Sequence, residues 1–329
     1  MTTDPLLKVD GLRIALASNT TTYNAVEEVS FAIGRGEAFG LVGESGCGKS
    51  ITALAIMGLL KRPLSLASGR IVLDGQEIQD APPAEMRRLR GKRVGMIFQE
   101  PMTALNPLSP VGRQIAEMFV LHQGATWTEA MDRAEEALRQ VRVPSPERRI
   151  RDYPHQLSGG MRQRVMIAMA LSCDPQVLIA DEPTTALDVT IQAQILDLML
   201  DLKEKTGTAI VLITHDLGVV AETAQRVVVM YAGRKVEEAP VEALFDNPLH
   251  PYTRGLMRAI PRLDVDAEEG GKRPRLQEIP GMVPLLTRPI VGCAFAARCS
   301  LATERCRAEP PPVVDAGGGH TVACWEVTP

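Results

Sequence analysis

The residues best suited to chemistry in this sequence form a glycine-rich loop early in the chain. Residues 43–50 read Gly-Glu-Ser-Gly-Cys-Gly-Lys-Ser, which fits the phosphate-loop pattern GxxxxGK[ST]. Glycines in such a loop let backbone N–H groups turn inward around phosphate oxygens, and the following helix points its positive end at them. We expect Lys49 to reach the β and γ phosphates of a nucleotide and the Ser50 hydroxyl to bind Mg²⁺.

Two neighbouring carboxylates form a second candidate site. The apolar run Val177–Ala180 is followed by Asp181 and Glu182, so a buried strand should end in two acidic side chains. Asp181 suits a residue that orients Mg²⁺ through its water shell. Glu182 suits a carboxylate that polarises an attacking water. Strands often end in acidic residues, so this pair gains significance from its position downstream of the phosphate loop.

A third motif is Leu157-Ser-Gly-Gly-Met-Arg-Gln163. Its two glycines free backbone amides at a helix start, and Ser158 suits a helix N-cap or a donor to a γ-phosphate. Taken alone, the motif indicates no more than a capped helix.

The pattern of the rest of the chain predicts elements that position these motifs. Strand patterns cover Leu6–Leu16, Val26–Ile33, Ala38–Val42, Arg70–Leu73, Val94–Phe98, Val177–Ala180, Ala209–Ile213 and Arg226–Met230. Helical patterns cover Lys49–Leu60, Val189–Lys205, Leu217–Ala224 and most of Ala104–Cys173, with breaks at Pro144 and Pro154. Strands that alternate with helices predict an α/β fold with a largely parallel sheet.

Composition excludes several classes of function. The chain has 329 residues, a net charge of −4 and 4 % aromatic residues, which argues against a broad nucleic-acid-binding surface. The apolar runs have strand length and not bilayer length, and residues 1–4 lack the basic start of a signal peptide. We therefore expect a cytosolic chain with reduced cysteines, held to a membrane only by other subunits.

The motifs and their order resemble those of the ATP-binding subunits of ABC transporters, over about residues 6–260. Ser158–Gln163 is similar to the ABC signature, Gln99 to the glutamine-loop residue, Ala186–Asp188 to the D-loop and His215 to the switch histidine. The resemblance implies an ABC-type P-loop nucleotide-binding domain with an antiparallel β subdomain and a helical subdomain. It also implies a head-to-tail dimer, in which the signature of one domain completes the ATP site of the other.

The resemblance implies a specific set of site residues. The catalytic residues are Glu182, His215, Gln99 and Lys49. The ATP-binding residues are Tyr23, which would stack on adenine, Gly43, Glu44, Ser45, Gly46, Cys47, Gly48, Lys49, Ser50, Ile51 and Asp188, with Ser158, Gly159, Gly160 and Gln163 acting in trans. The Mg²⁺ ligands are Ser50, Gln99 and Asp181.

Further segments resemble one group of ABC transporters, the oligopeptide and dipeptide importers. The similar segments are Asn247–Thr253, Leu256–Pro261, Ile279–Pro284 and Gly292–Cys299, while Asp181–Thr190 and the signature methionine are similar to the D-type ATPase of a D/F pair. The implied division is a nucleotide-binding domain over 1–261, with a helical subdomain at about 104–173, and an extension over 262–329 that begins with a linker at Asp264–Gly271. The implied partners are a homologous ATPase, two permeases and an extracytoplasmic substrate-binding protein, at the cytoplasmic face of the inner membrane.

The extension holds four of the six cysteines, Cys293, Cys299, Cys306 and Cys324. Structural zinc usually uses tighter C-x2–4-C pairs, whereas wide spacing with four thiolates suits an iron–sulfur cluster. The resemblance also implies a [4Fe–4S] site, with Zn²⁺ as the alternative. The extension has few large apolar side chains, so we expect metal–thiolate bonds to supply the free energy that orders it. We interpret Cys47 and Cys173 as packing residues.

Three competing classes fit the sequence less well. Soluble ABC ATPases of translation carry two cassettes, and those of DNA repair carry long coiled coils, but this acidic chain has one cassette and no heptad run. A catalytically inactive regulatory subunit conflicts with the intact Lys49, Asp181, Glu182 and His215. An exporter fits the extension poorly. The transported solute stays open, because peptide, nickel, glutathione and some glycan importers share this type of ATPase.

Overall fold

The computed structural model describes residues 4–17, 22–185, 187–259, 279–284 and 290–327. The predicted linker, the predicted domain boundary and Ala186 lie outside these residues. The strands are β1 (Leu7–Ala17), β2 (Thr22–Ile33), β3 (Ala38–Val42), β4 (Leu64–Leu73), β5 (Gln76–Glu77), β6 (Val94–Ile97), β7 (Val177–Asp181), β8 (Ala209–Thr214), β9 (Arg226–Tyr231), β10 (Arg234–Pro240), β11 (Val313–Asp315) and β12 (Thr321–Ala323). The helices are α1 (Lys49–Ile56), α2 (Pro83–Leu89), α3 (Pro101–Ala104), α4 (Val111–Gln123), α5 (Trp127–Gln140), α6 (Pro146–Arg149), α7 (Gly159–Leu171), α8 (Val189–Thr206), α9 (Leu217–Thr223), α10 (Val241–Asp246), α11 (Pro251–Arg258) and α12 (Glu304–Ala308).

The larger sheet determines where the predicted motifs lie. Its strand order in the described residues is β11-β12-β10-β9-β3-β8-β7-β6, and the strands from β9 to β6 pair in parallel. The apolar runs β3, β7 and β8 are buried along their whole length, as expected of strands covered on both faces. Because parallel strands end at the same edge, the segments after β3, β6, β7 and β8 meet there.

A smaller antiparallel sheet, with strand order β2-β1-β4-β5, packs over one face of the larger sheet. Alternate side chains of the two sheets share one apolar core; Leu12, Phe31, Phe39 and Leu41 are among its members. This alternation is typical of sheets that bury one face. The predicted antiparallel β subdomain is therefore confirmed.

The opposite face of the larger sheet is covered by helices. The chain between β6 and β7 forms α3 to α7, and their apolar faces pack with Leu178, Ala180 and Leu212 in a second core. Helix α5 begins with a capping box, in which Thr126 and Glu129 satisfy each other's backbone N–H groups. The predicted α/β fold class with a helical subdomain is confirmed. The predicted helix at Lys49 is shorter than expected and ends at Ile56, because Gly58 adopts a positive φ of 60°.

The C-terminal residues extend the larger sheet. Strands β11 and β12 form a hairpin, and β12 pairs with β10 through Glu237 opposite Val322 and Glu238 opposite Thr321. Phe295 is buried in a third core, which includes Tyr231 and Tyr252. We expected the extension to have little to fold around. That expectation was wrong about the packing, because the extension shares a core and a sheet with the rest of the chain.

The buried carboxylate of Glu237 links the hairpin of β11 and β12 to residues 249–250, just before α11. Glu237 on β10 accepts hydrogen bonds from the backbone N–H groups of Leu249 and His250, at 2.7 and 3.0 Å. Its Oε1 lies 2.7 Å from Nε2 of His320, which is in the hairpin turn. His250 in turn caps α11 by accepting from the Tyr252 N–H, and burial lowers the pKa of His250 to about 3. These contacts provide hydrogen-bond partners for the buried side chains of Glu237, His250 and His320.

Candidate functional site

The phosphate-loop motif connects the end of β3 to the start of α1, as the sequence predicts. Gly43 has a φ of 151°, and a Cβ at that position would lie 2.2 Å from the Met230 carbonyl oxygen. Gly48 precedes α1 with a φ of 101°. Only glycine fits such angles and approaches, so the loop geometry depends on these residues. The N–H groups at the start of α1 face the edge where the parallel strands end.

Lys49 holds this loop together. Its Nζ donates hydrogen bonds to the carbonyl oxygens of Gly43 at 2.6 Å and Glu44 at 3.0 Å, and the residue is buried. Cys47, another residue of the loop, is fully buried, and burial raises the pKa of its thiol. Cys173 is buried as well. The burial of both residues agrees with their interpretation as packing residues.

Two of the three predicted Mg²⁺ ligands, Ser50 and Asp181, lie side by side. The Ser50 hydroxyl donates to Asp181 Oδ1 at 2.9 Å, across the gap between α1 and β7. Burial of Asp181 raises the pKa of this carboxyl, and the neighbouring Glu182 also raises it, while the Ser50 hydrogen bond lowers it. A divalent cation would provide the positive charge that favours the ionised form of a buried carboxylate. The donors present therefore fit Mg²⁺.

Glu182 is held among three side chains that come from separate segments. Gln99 Nε2 and Thr185 Oγ1 donate to Glu182 Oε2, at 3.0 and 2.9 Å. His215 Nδ1 lies 3.4 Å from Glu182 Oε1. Glu182 itself adopts a φ of 47°, a conformation that is unfavourable for a residue with a side chain. The structure thus brings Gln99, Glu182 and His215 together, and it adds Thr185, which the sequence did not indicate.

The signature motif lies at the start of α7. Ser158 is the N-cap and accepts a hydrogen bond from the Met161 N–H at 3.4 Å. A Cβ on Gly160 would lie 3.0 Å from Ile191 on α8, whose N-cap is Asp188. The signature and the predicted D-loop residue are thus neighbours. In the described part of the chain, no hydrogen bond joins the signature to the phosphate loop, and Nε2 of the buried Gln163 has no hydrogen-bond partner.

Tyr23 and Glu44 are two further residues that the sequence predicts to bind ATP. Tyr23 is half-buried on β2 and pairs across the sheet with Leu16. The Glu44 carboxylate accepts hydrogen bonds from Arg298, and the Glu44 N–H donates to the Tyr252 hydroxyl at 2.8 Å. Sequence reasoning missed both contacts, because a single arginine or tyrosine gives no signal of a partner more than two hundred positions away.

A phosphate loop, a carboxylate pair beyond a parallel strand and a capped glycine motif define a P-loop ATPase of the ATP-binding-cassette class. The sequence agrees with two protein families, the ABC transporter family over residues 26–185 and the C-terminal region of oligopeptide/dipeptide transporters over residues 236–306. The second match begins on β10 and ends at Cys306, so it includes three of the four cysteines of the extension.

Full-length relatives identify the family of the whole chain. It is 52 % identical over 323 residues to the "Probable peptide ABC transporter ATP-binding protein y4tR" of Sinorhizobium fredii, covering 98 % of this chain and 95 % of the relative. It is 48 % identical over 319 residues to the dipeptide transport ATP-binding protein DppD of Escherichia coli, covering 97 % and 96 %. The chain belongs to the family of ABC transporter ATP-binding proteins, and it is an ATPase of this family.

Solved structures share the same cassette. The dimeric ATP-binding cassette MJ0796, bound to ADP and phosphate, superimposes with a TM-score of 0.65 at 29 % identity, covering 71 % of this chain and 98 % of that one. The cbiO1 subunit of the cbiONQ transporter of Clostridium perfringens gives a TM-score of 0.62 at 28 % identity, covering 74 % and 92 %. Among the residues described here, no helix has the length and apolar character needed to cross a membrane.

Proposed function

We propose that this chain powers an ABC importer for dipeptides, oligopeptides or a related small solute. The observation that carries the proposal is the combination of one ATP-binding cassette with a C-terminal region of the oligopeptide/dipeptide transporter type. The names of the relatives, peptide and dipeptide transport ATP-binding proteins, support the substrate class. We further propose that the nucleotide-binding domain spans residues 1–261, with its helical subdomain at about 104–173, and that the extension spans 262–329.

We propose the following roles at the ATP site. The phosphate loop cradles the phosphates through its backbone N–H groups, and Lys49 contacts the β and γ phosphates. Ser50, Asp181 and Gln99 would hold Mg²⁺, which would neutralise charge on the phosphates when bound. Glu182 accepts a proton from the attacking water. His215, beside Glu182, helps to position the γ-phosphate. Their convergence at one edge of the sheet supports these roles.

The signature should act on a partner's nucleotide. Ser158 and Gly160 lie at the N-terminus of α7, where free backbone N–H groups favour an anion. The similarity to a cassette that is dimeric with bound ADP and phosphate supports a head-to-tail dimer. In that arrangement Ser158, Gly159, Gly160 and Gln163 complete the site opposite, with Asp188 beside them, and Tyr23 stacks on adenine. ATP binding then closes the dimer and hydrolysis reopens it.

We expect the chain to copurify with one homologous ATPase and two permeases when a tagged copy is extracted from native membranes in detergent. Importer ATPases obtain their attachment to the cytoplasmic face of the inner membrane from such permeases. Subunit stoichiometry by native mass spectrometry is the measurement. Two copies of this chain with no second ATPase would contradict the heterodimer, and recovery without any permease would contradict the transport function. An extracytoplasmic binding protein would deliver the solute to the same assembly.

The four cysteines of the extension suit a metal–thiolate site. Cys293, Cys299, Cys306 and Cys324 line one small cavity beside Phe295, although none of the described residues form a group that could hold a metal ion as it stands. Backbone N–H groups two residues further along face three of the sulfur atoms, those of Cys293, Cys299 and Cys324. Burial raises the pKa of each of these three thiols, and the N–H groups act in the opposite direction by stabilising the thiolate. These features support the proposal that the cysteines hold a structural [4Fe–4S] cluster, with Zn²⁺ as the alternative.

Protein purified anaerobically should therefore be brown and absorb broadly near ~400 nm, the region of thiolate-to-iron charge transfer. We expect Cys306→Ser to abolish the colour, whereas Cys173→Ser, at a buried cysteine outside the extension, should retain it. Elemental analysis of iron, sulfide and zinc is the deciding measurement. Stoichiometric zinc without iron would overturn the cluster and support the zinc site, and protein without any metal would overturn both.

A further inference from the structure

The extension contacts the phosphate loop directly. Arg298 donates two hydrogen bonds to the carboxylate of Glu44, the second residue of the loop, with Nη1 at 2.6 Å from Oε2 and Nη2 at 3.1 Å from Oε1. This is the paired geometry in which a guanidinium binds a carboxylate most strongly. The Arg298 side chain is 4 % exposed and that of Glu44 is 30 % exposed, so solvent screens the pair less than it would screen a fully exposed ion pair.

Arg298 is itself held in place by residues of the extension and by Tyr231 on β9. It donates to the carbonyl oxygens of Ile279 and Pro280, at 3.1 and 2.9 Å, and its guanidinium lies over the ring of Tyr231. The hydrogen bond to Glu44 raises the pKa of Arg298, as expected for a paired cation. A guanidinium with so many partners has little freedom to follow a moving loop, so it fixes the position of Glu44.

A second residue of the oligopeptide-transporter region holds the same part of the loop. The Tyr252 hydroxyl accepts the Glu44 N–H at 2.8 Å, and burial raises the pKa of this phenol. The Glu44 carbonyl accepts from Lys49 Nζ at 3.0 Å. The N–H, the carboxylate and the carbonyl of Glu44 are therefore all fixed, two of them by residues outside the phosphate loop.

We infer that Arg298 is a positioning residue for nucleotide binding, which acts through Glu44 to hold the phosphate loop in its binding conformation. Two physical effects combine. The contact restricts the loop before the nucleotide arrives, which reduces the conformational entropy lost on binding. It also neutralises a carboxylate that would otherwise repel the phosphates. The extension is thus part of the machinery that sets the affinity for ATP.

The test uses the full-length chain and equilibrium binding of a non-hydrolysable ATP analogue with Mg²⁺. We expect Arg298→Ala to raise Kd about tenfold, equivalent to about 1.4 kcal/mol. Arg298→Lys should lie between this variant and the wild type, because lysine keeps the charge without the paired geometry. In the assembled transporter, KM for ATP should rise by a similar factor while kcat at saturating ATP changes by less than about twofold, the pattern of a lost binding contribution.

A double-substitution cycle separates positioning from general stability. If Arg298 acts through Glu44, then Arg298→Ala should change Kd by less than about twofold when Glu44→Gln is already present. Arg307→Ala, at an exposed arginine of α12 in the same extension, should leave Kd unchanged. A lower melting temperature for Arg298→Ala with an unchanged Kd would overturn the inference, as would an equal effect of Arg298→Ala with and without the Glu44 carboxylate. The Kd measurements depend only on ATP binding by this chain, so their outcome is independent of the solute that is transported.

Discussion

Replacing Glu182 with glutamine is expected to slow ATP hydrolysis by about 10²- to 10⁴-fold while nucleotide binding is retained, since that is the usual contribution of a general base. The substitution keeps the shape of the side chain and its ability to accept hydrogen bonds from Gln99 and Thr185, which lie 3.0 and 2.9 Å from Oε2. An amide cannot accept the proton of the attacking water. ATP should then remain bound, and the closed dimer should accumulate.

Two measurements check this expectation. Steady-state phosphate release by the full transporter measures the rate of ATP hydrolysis. Size-exclusion chromatography with ATP and Mg²⁺ measures the fraction of the ATPase subunits that is dimeric. Glu204→Gln is a matched control, because Glu204 is a largely exposed carboxylate of α8, with 76 % of its side chain accessible. It should hydrolyse ATP at the wild-type rate. Wild-type hydrolysis by the Glu182→Gln transporter would show that the proposed role of Glu182 is wrong.

Replacing Lys49 with alanine is expected to weaken nucleotide binding at least about thirtyfold, because losing one partner of a buried charged hydrogen bond costs about 2 kcal/mol or more. Lys49 is only 4 % exposed, and its Nζ lies 2.6 and 3.0 Å from two carbonyl oxygens of the loop. The cation is thus held within the loop that would cradle the phosphates. Hydrolysis should fall together with binding.

Binding of a fluorescent ATP analogue to the full-length chain measures the effect of Lys49→Ala. Lys61→Ala, at an exposed lysine shortly after α1, provides the control and should bind like the wild type. Circular dichroism should show the same helix content for all three proteins, because α1 tolerates alanine well. Wild-type affinity in Lys49→Ala would contradict the assignment of this lysine to the phosphates.

The sequence predicted the central strands to within a residue or two, because buried parallel strands are continuous apolar runs that stand out from their surroundings. It did not predict β10, β11 and β12. The last two have three residues each and no strand pattern of their own; β12 pairs with β10, and β11 pairs only with β12 in the described residues. A short edge hairpin gains its stability from its neighbour, which a single-sequence pattern does not show.

The sequence by itself determined the parts of the site that are contiguous in the chain. The glycine spacing of the phosphate loop and the N-cap of the signature helix depend on local backbone geometry, which neighbouring residues specify. The family followed from the order of these motifs. The same local motifs identified Lys49, Ser50 and Asp181 as candidates for phosphate and metal binding.

Only the tertiary structure decided which distant groups meet. Gln99, Glu182 and His215 converge because β6, β7 and β8 are parallel neighbours that end at one edge of the sheet. Arg298 reaches Glu44 because the extension adds to the third core instead of folding alone. Contacts between residues far apart in the chain depend on strand order and on shared cores. Those are properties of the whole packed chain, which spacing along the sequence does not encode.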